Sequence, residues 1–507
     1  MTAVQKYLTT PDPGRVRLRT SLRAVLGVAL AVALAELLGL SLVASITAGL
    51  AALLALFTVG DRTVRRQAVT TALLPTVGFP VLALAALLHD APLLRDAAWL
   101  FVIFAGAYAR RWGPRGHALG IFAFMQFFVT QFLHALPAQL PELYAATGIA
   151  LGAAASVRFA LWPIERRVPP PAVPAALPGT GLARATTRQA VQVSVASGAA
   201  LIIGQFLSEE RWYWAVGTVW WIFVNTASRG ETLVRGFRRL LGTVTGIAAG
   251  FLVAIPLGGA PVITALLVAV CVFGIFYTAA VSYSWMMLCV TLLASLLYGL
   301  LDVLDPALLA LRLAETGVGA LGAVLAVLFV LPVTTHAVTD AWIQRALTCV
   351  HACTAEAAAR LAGVPDADPA PRVAELEQLL GRVRLAVAPL VHPLNPMLVR
   401  KGRALRVLAL LDDCAREIRG LVAVAADPEA SHDSRLARAC HRVEASVEAL
   451  IASPAGKGRE PRPVGSPAAP LHQAAEPALA HLHSLEHALA ELAAPLRAPS
   501  GSPLVGA

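Results

Sequence analysis

The sequence predicts an all-α membrane protein: two parallel six-helix transmembrane repeats followed by a cytoplasmic C-terminal helical bundle. Three observations predict it. Of 507 residues, 57% are hydrophobic and only 14% charged, with a mean hydropathy of +0.68; a soluble domain carries about 25% charged residues. The apolar residues gather in long runs up to about residue 333 and thin out beyond it. The Lys and Arg residues between the runs fall in a one-sided alternation.

A helix needs about 20 apolar residues to cross the hydrocarbon core. Such runs lie at 22–40, 42–60, 67–88, 97–109, 117–134 and 142–163, then at 188–207, 212–227, 240–257, 261–280, 284–301 and 307–331. The expected organisation is a cytoplasmic N-terminal segment (1–21), a first six-helix half (22–164), a cytoplasmic linker (165–187), a second six-helix half (188–332), a cytoplasmic helical domain (333–497) and a disordered tail (498–507). The linker contains Pro169-Pro170-Pro171 and reads as a loop. Arg15, Arg17, Arg19 and Arg23 precede the first run as they would in a signal peptide, but a second run follows after a short turn, so the first reads as a retained helix.

Orientation follows from the basic residues. With the N-terminus inside, the inner connections hold Arg62, Arg65, Arg66, Arg110, Arg111, Arg115, Arg166, Arg167, Arg184, Arg188, Arg229, Arg235, Arg238 and Arg239, and the outer ones only Arg95 and Arg211. This bias places both termini in the cytoplasm and the chain in the cell (inner) membrane, with the lipid bilayer as its first partner. The net charge of +10 and pI near 9.8 therefore express membrane anchoring. The basic residues form no stripe on a soluble module, which argues against nucleic acid as a partner.

The halves match at an offset of 169 residues: Ala145-Ala146-Thr147-Gly148 with Ala314-Glu315-Thr316-Gly317, Pro163 with Pro332, Tyr108 with Tyr277, Thr63 with Thr232 and Arg66 with Arg235. Six is an even number, so both halves enter from the same side, as parallel repeats do. Beyond Pro332, helical spacing recurs at 336–363, 371–388, 397–426, 432–453 and 469–495, separated by Pro-rich turns. This reads as a helical bundle. Cys271 and Cys289 lie in apolar runs and read as small hydrophobes. Cys349 and Cys353 share a helix face, but two further zinc ligands are missing nearby, so no metal is expected. No Gly-x-x-x-x-Gly-Lys-Ser/Thr loop, nucleophile elbow or His-Glu-x-x-His is present, so neither an ATP-driven pump nor an enzyme is expected, and no cofactor.

One stretch is more informative. It opens Trp212-Tyr213-Trp214, where indoles suit a membrane interface. It runs on through Thr218 and Asn225 to a basic loop with Arg229, Arg235, Arg238 and Arg239, and then to Arg239-Leu240-Leu241-Gly242-Thr243-Val244-Thr245-Gly246. Gly242, Gly246 and Gly250, four apart, suit close helix packing. The Thr-x-x-Arg loop and the Arg-x-x-Gly-Thr-x-x-Gly helix start resemble the FUSC family, the fusaric acid resistance and aromatic acid exporter group. The first half departs from the motif: Pro75 and Pro80 stand where its glycine element would be. The resemblance implies export of small, often aromatic, carboxylic acids across the inner membrane, with a small organic anion as substrate. The family is also similar to plant aluminium-activated malate transporters, which implies a pathway between two paired halves.

Charges within apolar runs are the candidate pathway residues, because a centred charge costs about 2.5–3.5 kcal/mol on insertion scales. They are Glu36, Arg158, Arg312 and Glu315. Arg312 and Glu315, three apart, can pair with each other. Glu315 and Glu36 are candidate proton carriers. Arg158 reads as snorkelling to the inner surface. Thr218, Asn225, Gln126 and Gln131 are polar candidates for a pathway lining or for helix-to-helix hydrogen bonds. Arg229, Arg235, Arg238 and Arg239 read as an anion-attracting inner loop. Phe122, Phe124, Phe127, Phe128 and Phe132 spread round one helix and read mainly as lipid-facing, or as a stack for an aromatic substrate.

The expected function is proton-driven export of organic acids. A passive anion channel is an alternative. So is a major-facilitator transporter, whose inner-loop motif Asp61-Arg62-Thr63-Val64-Arg65-Arg66 superficially resembles. A non-transporting scaffold that binds a partner through its C-terminal domain is another. A homo-oligomer or an accessory envelope protein remains open as a further partner.

Overall fold

The computed structural model describes residues 12, 15–61, 63–160, 180–226, 228–258, 260–332, 335–361, 364, 366–391, 398–425, 434–451 and 476–497. Most of the expected linker 165–187, including its three prolines, and the whole tail 498–507 lie outside the described residues, as do Arg62, Arg166 and Arg167. The chain divides into two compact units, one of residues 1–170 and 176–333 and the other of residues 171–175 and 334–507. Every regular element among the described residues is helical.

The first unit holds α1 (Val16–Leu37), α2 (Leu42–Thr58), α3 (Val64–Leu87), α4 (Pro92–Ala109), α5 (Gly113–Phe132) and α6 (Leu140–Ala160). It continues with α7 (Ala185–Leu207), α8 (Tyr213–Phe223), α9 (Arg229–Leu257), α10 (Pro261–Ala279), α11 (Tyr283–Leu300) and α12 (Pro306–Phe329). Nine stretches among the described residues are long and apolar enough to cross a membrane, with α4 and α5 counted as one stretch. Helix α2 is apolar but has 17 residues, and α8 has only 11. The starts follow local chemistry. Side chains of Ser41, Thr63, Ser228 and Asp305 accept from backbone N–H groups of the first turn, and prolines open α4, α10 and α12, where no N–H is needed. Large apolar side chains such as Leu93, Phe101, Phe206, Leu252 and Val262 stand fully outward. A lipid-facing surface explains them, whereas water would not.

Helix partners recur six helices on. Helix α2 packs on α1 and α6, and α8 on α7 and α12; α5 packs on α3 and α4, and α11 on α9 and α10. Between the sets, α4 packs on α7 and α10 on α1. Helices α4 and α5 cross where Gly106 meets Gly120: a Cβ on Gly120 would stand 2.3 Å from the Gly106 carbonyl oxygen.

The short helices end inside the protein, so their last carbonyls need donors. Arg158 supplies them for α2. It is buried and donates to the carbonyls of Val59 (2.9 Å), Ala55 (3.1 Å) and Leu56 (3.2 Å). It does not snorkel, and the expectation that it would is corrected here. A guanidinium at a helix C-terminus also meets the negative end of the helix dipole. Helix α8 ends under Arg110, which donates to Phe223 O and Thr226 O, and Arg235, which donates to Trp221 O. This explains why the run 212–227 yields only 11 helical residues. Arg158→Ala is expected to cost at least about 3 kcal/mol, since three charged hydrogen bonds are lost, each worth about 1.5–3 kcal/mol, against the relief of a buried charge. Thermal unfolding in detergent measures it; a melting temperature within one degree of the parent would contradict the capping role.

The second unit consists of α13 (Thr335–Leu361), α14 (Ala370–Val391), α15 (Leu398–Ala425), α16 (Ser434–Ile451) and α17 (Glu476–Arg497). They share one apolar core that includes Leu347, Val383, Ile418, Val443 and Leu482. Cys353 and Cys414 are fully buried in it, and burial pushes the Cys414 thiol up to about 12. Cys349 approaches the Arg372 carbonyl at 3.5 Å. Its surface pairs, such as Arg384–Asp412 and Arg442–Glu486, are exposed and contribute little.

Candidate functional site

An apolar cavity enclosing about 100 Å³ lies among α2, α5, α8, α9, α10 and α11, so both sets of six helices build its wall. The rings of Phe57, Phe128, Phe132, Trp214 and Trp221 share the lining with aliphatic side chains and with Met125, Met286 and Met287. Trp221 stands near the C-terminal end of α8 and Trp214 near its start. The one charged side chain among the lining residues is Arg239.

Phe57 packs edge-on against Trp221, while Phe128, Phe132 and Trp214 belong to an aromatic spine. Trp99 stacks on Phe127 (centroids 5.2 Å apart), Phe124 on Trp220 (4.4 Å), and Phe132 tilts against Tyr298 (5.1 Å). Phe122, Phe124, Phe127, Phe128 and Phe132 are all buried, which overturns their reading as lipid-facing. Five rings spread round α5 find protein on all sides because α5 is covered by α2, α3 and α4 and meets α8. Trp212 and Trp214 are likewise buried, not interfacial anchors. Trp212 packs edge-on against Trp99, and the Trp214 indole N–H donates to the Tyr298 hydroxyl at 2.6 Å.

The basic stretch 229–239 is not a loop. Ser228 caps α9, so Arg229, Arg235, Arg238 and Arg239 sit on its first three turns. Helical periodicity then separates them. Arg229 and Arg238 are exposed, while Arg235 is half-buried over the Tyr283 ring at 4.2 Å. Arg239 is buried at 4% exposure. Its guanidinium meets the Tyr283 hydroxyl at 3.5 Å and the Met287 sulfur at 2.9 Å, and its Nε has no hydrogen-bond partner among the described residues. No carboxylate lies within ion-pair distance of it among them. A buried cation without a counter-ion costs several kcal/mol, and a bound carboxylate would offset that through the two-pronged geometry guanidinium favours.

The remaining candidates separate. Glu36 lies at the last turn of α1 and is exposed, so it is no buried proton site. Asn225 is exposed beyond α8 and bonds His117 at 3.1 Å; it does not line the cavity. Gln126 and Gln131 are buried without lining it. Thr218 is buried against Gly319 of α12, whose added Cβ would stand 2.7 Å from the Thr218 Cβ. Arg312 and Glu315 are both fully buried on α12, but they do not pair. Arg312 lies over the Trp214 ring at 3.8 Å, and neither Glu315 oxygen has a hydrogen-bond partner among the described residues. The i,i+3 spacing permitted the pair; the indole of a neighbouring helix competes for the guanidinium. Gly242, Gly246 and Gly250 face α11: added Cβ atoms would stand 2.5 Å from Ser284 O, 2.5 Å from Thr291 Cβ and 2.9 Å from Ser295 Oγ.

Reading of the sequence missed Tyr213, Tyr283, Met287 and Tyr298. Tyr298 had a usable signal: a phenol deep in an apolar run needs a hydrogen-bond partner.

No curated protein and no solved structure matches the chain. A family model does, and Trp214, Arg239, Tyr298, Arg312 and Glu315 all fall inside the matched part. The segment 199–326 of this membrane protein matches the fusaric acid resistance protein-like family.

Proposed function

We propose that this chain is a secondary transporter of the inner membrane, with both termini in the cytoplasm, that exports small organic acids carrying an aromatic body and is driven by the proton gradient. It acts by moving its substrate and not by changing it. One observation carries the reading: a buried arginine with no carboxylate partner among the described residues stands in the wall of an apolar cavity, partly lined by rings, between the two sets of six helices. The rings suit a flat apolar body, and the guanidinium suits its carboxylate. Arg110, Arg235 and the exposed Arg229 and Arg238 cluster on the side of the α8 C-terminus, where they raise the local anion concentration. The name of the matching family points to the same chemistry. The two helix sets act as a pseudo-twofold pair around the pathway.

Export of benzoate from cells expressing the chain tests this. The expected result is faster efflux than in the parent host, stopped by an uncoupler. Efflux indifferent to the uncoupler would turn the reading to a passive channel, and no efflux of any aromatic acid would leave a scaffold.

A further inference from the structure

Resting on that reading, we infer that Phe128, seated against the bare backbone of Gly217, is the size selector of the cavity: it admits acids with one ring and shuts out acids with two fused rings.

The cavity encloses about 100 Å³. An engineered apolar cavity of about 150 Å³ in another protein binds benzene. One ring therefore takes up the whole space here and needs some give from the wall. Met125, Met286 and Met287 supply that give, because their unbranched side chains turn easily. A second fused ring has to displace a wall residue outright.

Phe128 is the residue in its way. Arg239 is held at Met287, near the start of α11, whereas Phe128 packs on Trp214, whose indole bonds Tyr298 near the end of that helix. Cation and ring thus bound the cavity from opposite ends, and a carboxylate on Arg239 points its own ring towards Phe128. Phe128 is also clamped. Trp214 and Tyr213 meet it edge-on, with centroids 5.0 Å and 5.5 Å away. Both are tied in turn to the Tyr298 hydroxyl, at 2.6 Å and 3.1 Å. On the α8 side the ring fills the notch left by Gly217, where an added Cβ would stand 2.7 Å from Cε2 and 3.3 Å from Cδ2 of Phe128. Gly217 and Phe128 both line the cavity. The notch lets the ring stand back from the cavity, and a side chain at 217 drives it inward. A ring held in this way cannot retreat before a larger ligand, since packed interiors yield little.

The test compares benzoate with 2-naphthoate, each carrying one carboxylate, by titration calorimetry on the purified full chain in detergent. An apolar cavity without a size limit prefers 2-naphthoate, because burial gains grow with apolar area. The parent is expected to show the reverse, binding benzoate at least about tenfold more tightly, as misfitting groups in apolar pockets do. Phe128→Ala frees the volume of one ring and is expected to turn the preference to 2-naphthoate. Phe128→Leu, a milder change that keeps the core filled, is expected to narrow the parent's ratio at least about threefold. Gly217→Ala is expected to weaken benzoate at least about tenfold by pushing the Phe128 ring into the cavity. Tighter binding of 2-naphthoate by the parent would overturn the size limit. A parent ratio retained in Phe128→Leu, or full benzoate affinity in Gly217→Ala, would overturn Phe128 as its cause. Each of these results leaves the exporter reading standing, whereas no binding of either acid by the parent would sink that reading itself.

Discussion

Arg239→Gln is expected to reduce benzoate affinity by about 10- to 150-fold, the range that corresponds to a charge-assisted hydrogen bond worth about 1.5–3 kcal/mol. The side chain is buried in the cavity wall, and its neighbours are a phenol and a thioether. Nothing else among the lining residues is charged, so no second cation there compensates. The loss should be specific to anions: benzamide, with the same ring and no charge, should bind parent and variant alike. Folding should not suffer, because removing a buried charge that lacks a counter-ion leaves no carboxylate stranded. Arg239→Lys keeps the charge but not the fork, and should recover only part of the affinity. Titration by tryptophan fluorescence reads all five ligand–protein pairs, since Trp214 and Trp221 line the cavity. Equal benzoate affinity in parent and Arg239→Gln would end the assignment.

Gly246→Leu should prevent assembly of the transmembrane unit. A Cβ there would stand 2.5 Å from the Thr291 Cβ and 3.0 Å from the Leu288 carbonyl. The backbone oxygen cannot swing aside, so α9 and α11 must part. Overpacking typically costs about 1–3 kcal/mol, occasionally more, and here the seam continues through Gly242 and Gly250, so one wedge disturbs all three contacts. Helices α9 and α11 also carry Arg239 and its partners Tyr283 and Met287, so the cavity is lost with the seam. Size-exclusion of the detergent-solubilised chain should show aggregate where the parent shows a single peak. Gly148→Ala is the control: nothing lies within 4 Å of its added Cβ, and alanine favours a helix by up to about 1 kcal/mol. A monodisperse Gly246→Leu would show that the seam tolerates a side chain.

The membrane helices were legible because hydropathy depends only on which residues are adjacent in the chain. The runs at 261–280 and 284–301 reappear as α10 and α11 within a few residues. The exceptions have tertiary causes. Run 212–227 ends early at Phe223, where Arg110 from the connection between α4 and α5 takes the terminal carbonyls. The run at 97–109 grows back to Pro92, since a proline at the first helical position needs no partner for its nitrogen. The candidate site was legible only as a residue inventory. Arg239, Arg312 and Glu315 could be singled out as charges near or within apolar runs, because charge there is costly wherever it points. Glu36 and Arg158 met the same criterion and proved to be an exposed helix end and a helix cap.

Composition and the one-sided arginines by themselves determined an all-helical membrane unit followed by a more polar helical one, because transfer into lipid is nearly additive along the chain. Which charges stand unpaired was decided only by tertiary structure. Whether a guanidinium meets a carbonyl, an indole or a thioether depends on helices 48 to 103 residues away: Arg158 reaches α2, Arg312 reaches Trp214, and Arg239 reaches Met287. Electrostatic partners are set by distance in space, and no local pattern encodes that distance.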